Sequence, residues 1–90
     1  MTAYVYLLWC GSRRTLYCGW TTDVERRLAA HRAGKGAKYT RSRPPIELAA
    51  VIAMPSAAAA RREEARIKRL ARAEKLELVG APARSRARRR

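Results

Sequence analysis

The hydrophobic positions at the start of the chain run unbroken and, in an extended backbone, divide between two faces with a period of two. In YVYLLWC, Tyr4, Tyr6, Leu8 and Cys10 share one side of an extended backbone, and Val5, Leu7 and Trp9 share the other. Both sets are largely apolar, so this strand is expected to be central and covered on both faces. Gly11-Ser12-Arg13-Arg14 leads into a second apolar run, about Thr15 to Trp20, and the pair reads as a β-hairpin. The second strand places Leu16, Cys18 and Trp20 on one face and Tyr17 with Gly19 on the other. Gly19 leaves bare backbone beside Tyr17, where another group can approach closely. The period then becomes helical. A helix is expected from about Asp23 to Arg32, N-capped by Thr22 with Glu25 completing a capping box, and with Val24, Leu28 and Ala29 facing inward. Arg27 and His31 lie four residues apart on it and share a face.

No period runs through AGKGAKYTRSRPP. It reads as a basic loop that carries Lys35, Lys38, Arg41 and Arg43 around one aromatic, Tyr39, and loops are where recognition residues gather. A third strand is expected from about Ile46 to Ala53. Ser56 then caps a long helix from Ala57 to about Leu70, in which Ala57, Ala60, Glu64, Ile67 and Ala71 form a stripe at helical spacing. Every member is apolar except Glu64, and Glu63 lies at the border. A further short helix, about Arg72 to Leu78, follows a bend without a clear cap. The order is β-β-α-β-α with a possible final helix: an α+β domain over residues 1–79, a three-stranded antiparallel sheet flanked by helices. Residues 80–90 read as a basic, disordered tail.

Charge narrows the partners. The chain of 90 residues has 21 Lys and Arg against 7 Asp and Glu, a net charge of +14. Five of the arginines close the chain (Arg84, Arg86, Arg88, Arg89, Arg90), yet without them the body still holds 16 basic against 7 acidic residues. A body this small buries no large cavity, so its site should be a shallow groove suited to a polyanion, nucleic acid above all. A membrane surface is disfavoured: no apolar run approaches the roughly 18–20 residues of a spanning helix. The N-terminal MTAYVYLLWC carries no basic leader, so the chain is expected to be cytoplasmic, with Cys10 and Cys18 as buried thiols. Two cysteines and one histidine also fall short of a structural zinc site.

Glu64 is the anomaly. A carboxylate on an apolar stripe must find a partner or lose its charge. An arginine such as Arg27 is one candidate partner, and a divalent metal is the other. One carboxylate suffices for magnesium, which keeps waters and takes further ligands from substrate phosphate. A phosphodiester-cleaving site also needs a base and a cation. His31 is the only imidazole, and Tyr6 or Tyr17 can serve if the phenol is activated, because at a pKa of about 10 only ~0.1% is ionised at pH 7. Arg27, a metal and the basic field are expected to lower that pKa. Arg27 can also neutralise charge on the phosphoryl oxygens. Singly, each residue has an ordinary structural reading: core aromatics, a surface charge, a helix-end histidine.

Taken in order, Tyr4-Val5-Tyr6, Tyr17-Cys18-Gly19, Arg27, His31 and Glu64 resemble the GIY-YIG nuclease domain, most closely its small stand-alone bacterial members. GKGAKYTR after the first helix and Glu64-Ala65-Arg66-Ile67-Lys68-Arg69-Leu70 extend the likeness over residues 3–78. The resemblance implies a metal-dependent endonuclease acting on DNA, in repair or recombination, with a single Mg2+ or Mn2+ bound by Glu64. It implies Tyr6 as general base, Tyr17 orienting water or substrate, Arg27 stabilising the transition state, and His31 and Tyr39 as further active-site polar groups. Lys35, Lys38, Arg41, Arg43 and Lys68 would hold nucleic acid. Tyr4 replaces the first glycine, Cys18 takes the middle of the second signature, and the chain contains no asparagine, which many active members carry late in the domain. A non-catalytic, basic nucleic-acid-binding module therefore stays open as the alternative.

Overall fold

The computed structural model describes residues 2–80. Strands β1 (Ala3–Cys10), β2 (Thr15–Thr21) and β3 (Ile46–Met54) form one antiparallel sheet in the order β2-β1-β3. Helices α1 (Val24–Arg32), α2 (Lys38–Arg41), α3 (Ala57–Lys68) and α4 (Arg72–Gly80) flank it. The doubly apolar β1 is the central strand, as its alternation requires. Ala3, Val5 and Leu7 join Cys18 of β2 and Ala60 and Ile67 of α3 in one core layer. Tyr6, Leu8 and Cys10 point to the opposite face, where Ile46 completes the buried set and Tyr17 and Leu28 pack against it. Both cysteines are buried free thiols.

The hairpin turn is tight: Gly11, Ser12 and Arg13 all have φ between 58° and 68°, the left-handed region that disfavours side chains other than glycine. Two ties hold it. The Arg14 N–H donates to the Cys10 carbonyl at 3.0 Å, and the Gly11 N–H to the Arg43 carbonyl at 2.8 Å.

Several boundaries differ from the sequence expectation. The N-cap of α1 is Asp23, whose carboxylate accepts the Arg26 N–H at 3.1 Å, and not Thr22. Thr21 Oγ1 takes the Asp23 N–H at 3.1 Å, the reciprocal bond that a capping box would assign to Glu25. A carboxylate one residue later simply offers a stronger acceptor to the helix N-terminus. Ala29 faces solvent, and the buried residue of α1 is His31. The helix closes with Lys35 N–H on Ala30 O and Gly34 N–H on His31 O, Gly34 having φ +78°, a Schellman motif. The segment read as a loop contains the four-residue α2. Ser56 caps α3 as expected, accepting the Ala59 N–H at 3.1 Å. That helix stops at Lys68, so Ala71 leaves the stripe and is exposed. Glu74 supplies the missing cap of α4 by accepting the Ala71 N–H at 2.9 Å. The tail beyond residue 80 lies outside the described residues.

Candidate functional site

The site begins where β1 crosses β2. Tyr6 is paired with Gly19 across the ladder, and its ring lies over that bare backbone. A Cβ at Gly19 would stand 2.5 Å from the Tyr6 hydroxyl oxygen and 2.7 Å from Cζ, so only glycine leaves room for the ring. Tyr17 sits two residues earlier on the same face of β2. Its ring centroid is 6.4 Å from that of Tyr6, so both phenols share one side of the sheet. The helix α2 brings Tyr39 onto Tyr17 in a stacked arrangement, with centroids 5.9 Å apart and planes 22° apart. The Arg43 guanidinium covers Tyr39 at 3.9 Å from the ring centre, a cation–π contact.

His31 enters from the last turn of α1 and is 2% exposed. Its Nε2 lies 3.0 Å from the Tyr6 hydroxyl, and its Nδ1 lies 2.7 Å from Thr40 Oγ1. The Thr40 hydroxyl in turn donates to the Ala37 carbonyl at 3.0 Å. Gly36 packs bare against the imidazole: a Cβ there would come within 2.7 Å of Cγ and Cε1 and closer still to Nδ1. Thr40 and Gly36 lie within the GKGAKYTR segment that extends the family likeness, but no role is expected of them from sequence. Their role depends on a chain reversal after α1, which no periodicity in GKGAKYT announces.

Arg27 lies one helical turn before His31, and its charge reaches both members of the pair. Burial pushes Tyr6 up to about 12, the neighbouring Tyr17 adds to this, and the Arg27 guanidinium pulls it partly back. Tyr17 is also raised, burial being the main cause, with Glu64 adding to the rise and Lys68 and Arg27 opposing it. The expected lowering of the phenol pKa by basic neighbours is therefore corrected. Desolvation of a phenolate in a packed face outweighs cations that remain partly in water. His31 shifts downward, first through burial and then through Arg27, which keeps the imidazole neutral near pH 7.

Glu64 comes from α3 with its side chain one-fifth exposed. Its partner is Lys68 at 3.3 Å, one turn on, and not Arg27. Its negative charge nevertheless raises Tyr6, Tyr17 and Cys18, although α3 itself packs on the Val5 and Leu7 face of the sheet. Glu63 is bound by Arg66 through two bonds of 2.9 and 2.7 Å, so of the two adjacent carboxylates Glu64 has the single, longer ion pair. Among the described residues no three His, Cys, Asp or Glu side chains cluster. A cation here would have one protein carboxylate oxygen and would draw its remaining ligands from water and phosphate, a set that fits magnesium or manganese and not zinc.

Of the basic residues expected around the site, Arg43 is stacked on Tyr39 and Lys68 is paired with Glu64. Lys35, Lys38 and Arg41 are exposed on α2 and the segment before it. Arg41, Arg32 and Thr40 also line a cavity of about 410 Å3 behind His31. No helix among the described residues is long and apolar enough to cross a membrane.

Comparison with known proteins places the chain in a family. The model of the GIY-YIG catalytic domain matches residues 2–77. A UPF0213 protein of Syntrophus aciditrophicus is 49% identical over 77 residues, covering 84% of this chain and 87% of that one. A second, from Natronomonas pharaonis, is 54% identical over 76 residues, covering 84% and 88%. The solution NMR structure of the UPF0213 protein BH0048 from Bacillus halodurans superposes with a TM-score of 0.56 at 49% identity, over 89% of this chain and 84% of the other. A Tyr6–Gly19 crossing, with arginine and histidine one turn apart beside it, is thus set in a matched domain and a shared fold, and the chain belongs to the GIY-YIG family.

Proposed function

We propose that this protein is an endonuclease that hydrolyses phosphodiester bonds in DNA and depends on Mg2+ or Mn2+ held by Glu64. The observation that carries the reading is the 3.0 Å contact between the Tyr6 hydroxyl and a buried, neutral imidazole, with Arg27 beside both. A phenol with a pKa of about 12 is almost never ionised in advance at pH 7, so it needs a proton acceptor within reach. His31 Nε2 is that acceptor. Tyr6 takes a proton from the attacking water as its own passes to His31. Tyr17, on the same face, orients the water or the substrate phosphate. Arg27 offers a guanidinium to the charge that develops on the phosphoryl oxygens, a role in which one donor is commonly worth 10²–10³ in rate. The cation, when bound by Glu64, polarises the phosphate. Exposed Lys35, Lys38 and Arg41, with Arg43, hold the flanking backbone.

The test is a panel of duplex, single-stranded and branched DNA with and without Mn2+, run on the native protein, Glu64→Gln and Tyr6→Phe. Metal-dependent cutting should appear in the native protein and vanish in both variants. Undiminished cutting by Glu64→Gln, with contaminating nuclease excluded, overturns the proposal. The Arg43-Tyr39-Tyr17 stack favours a second reading, a domain that grips nucleic acid without cutting it. That reading predicts binding by all three proteins and cleavage by none.

A further inference from the structure

We propose that Thr40, seated by the loop that Gly36 begins, is a positioning residue that fixes the tautomer of His31 and so makes its Nε2 the acceptor for the Tyr6 proton. This rests on the nuclease reading above and extends it to residues that touch no substrate.

The tautomer follows from counting protons along one chain of hydrogen bonds. The Thr40 hydroxyl has a single proton, and the Ala37 carbonyl, 3.0 Å away, can only accept. The geometry assigns that proton to Ala37, whose carbonyl also accepts the Thr40 and Arg41 N–H at 3.1 Å each, and the Thr40 oxygen then faces His31 with lone pairs. At 2.7 Å from it, Nδ1 is then the donor. A neutral imidazole has one N–H, so Nε2 is bare and receives the Tyr6 O–H at 3.0 Å. The direction is set end to end: Tyr6 O–H to Nε2, Nδ1–H to Thr40 Oγ1, Thr40 O–H to the Ala37 carbonyl. A histidine ligated the other way round would donate to Tyr6 and could not relieve it of a proton.

The loop is shaped to hold this direction. Gly36 lets its backbone lie against the imidazole at a distance no side chain allows. Ala37 both caps α2 and supplies the carbonyl that orients Thr40. Thr40 itself is 1% exposed, so water does not compete for its hydroxyl. In the reaction the Tyr6 O–H bond breaks as Nε2–H forms, and the phenolate oxygen takes a proton from water. The water oxygen then bonds to phosphorus, and the bond from phosphorus to the departing sugar oxygen breaks. That oxygen takes a proton from solvent, and the imidazolium later returns its own to solvent. No oxidant or further reactant is required.

The imidazole nitrogens of His31, the only histidine in the chain, are read directly by 15N–1H correlation spectroscopy at neutral pH. The native protein should show Nδ1 protonated and Nε2 bare. Thr40→Ser keeps the hydroxyl and should preserve both the tautomer and the cleavage rate. Thr40→Val, nearly the same shape without the acceptor, should move the proton to Nε2 and slow cleavage about 10²-fold, the low end of what a positioned acid–base group contributes. Nε2–H in the native protein overturns the inference whether or not any variant folds. So does a Thr40→Val protein with bare Nε2 and undiminished cleavage. If no DNA is cut at all, the nuclease reading fails while the spectrum still decides the tautomer.

Discussion

Replacing Gly19 by alanine adds one methyl group at the point where Tyr6 crosses β2. The new carbon would stand 2.5 Å from the hydroxyl oxygen, 2.7 Å from Cζ and 3.2 Å from Cε1. Comfortable contact begins at about 3.5 Å, so ring and strand must separate by about 1 Å. The ring has little freedom to yield, being 2% exposed and held at its tip by His31. Two terms oppose each other. Alanine restricts the unfolded chain more than glycine, which stabilises the fold by about 0.5–1 kcal/mol. Overpacking of this kind costs about 1–3 kcal/mol. The second should win, with a net loss of about 1 kcal/mol in urea unfolding. The catalytic effect should be larger, since a displacement near 1 Å of a reacting group can cost about 10²-fold. The assay pairs denaturant unfolding with single-turnover cleavage. A Gly19→Ala protein as stable and as fast as the native one refutes the claim that the bare backbone exists for the Tyr6 ring.

Acid should weaken the fold through His31. Its pKa is lowered in the folded state by burial and by Arg27, so below about pH 6.5 the unfolded chain binds a proton that the folded chain refuses. Stability should therefore fall by up to about 1.4 kcal/mol per pH unit from there down to the folded pKa. Urea titrations at pH 7.5 and 5.5 should show this dependence in the native protein and lose it in His31→Gln; equal slopes would refute it. The carboxylates Glu47 and Glu63, held low by Arg13 and Arg66, act in a separate window below about pH 4.5. Removing exposed Lys38 and Arg41 together should lower duplex affinity and reduce the slope of log K against log salt by about 2. An unchanged slope in fluorescence anisotropy would place the phosphate contacts elsewhere.

What could be read from the residues, and what could not, divides by range. The faces of β1 and β2 were legible because strict alternation leaves Tyr6 and Tyr17 no choice but the side opposite Val5, Leu7 and Cys18. Ser56 declared the start of α3 by the same kind of local chemistry. The shift of the α1 cap from Thr22 to Asp23 was a contest between adjacent good acceptors, which spacing alone does not settle. Longer-range facts were hidden. Glu64 takes Lys68 and not Arg27 because a residue one turn away on the same helix is always near, whereas Arg27 belongs to another element. The rise in the tyrosine pKa depends on how tightly the phenols are packed, and composition reports only the abundance of cations. Thr40 and Gly36 gain their meaning from a fold-back over His31 that nothing local marks.

One consequence of the sheet concerns error. Val5 and Leu7, the immediate neighbours of Tyr6 along β1, lie against α3 on the other face. A slip of one residue in pairing would send the phenol inward to the aliphatic layer and put valine or leucine before the imidazole. Fidelity of assembly and competence for chemistry are thus tied to a single alternation. A wrongly registered molecule would lack the contact between the Tyr6 hydroxyl and His31, so under the proposed nuclease reading it would be inert and would add no stray cuts.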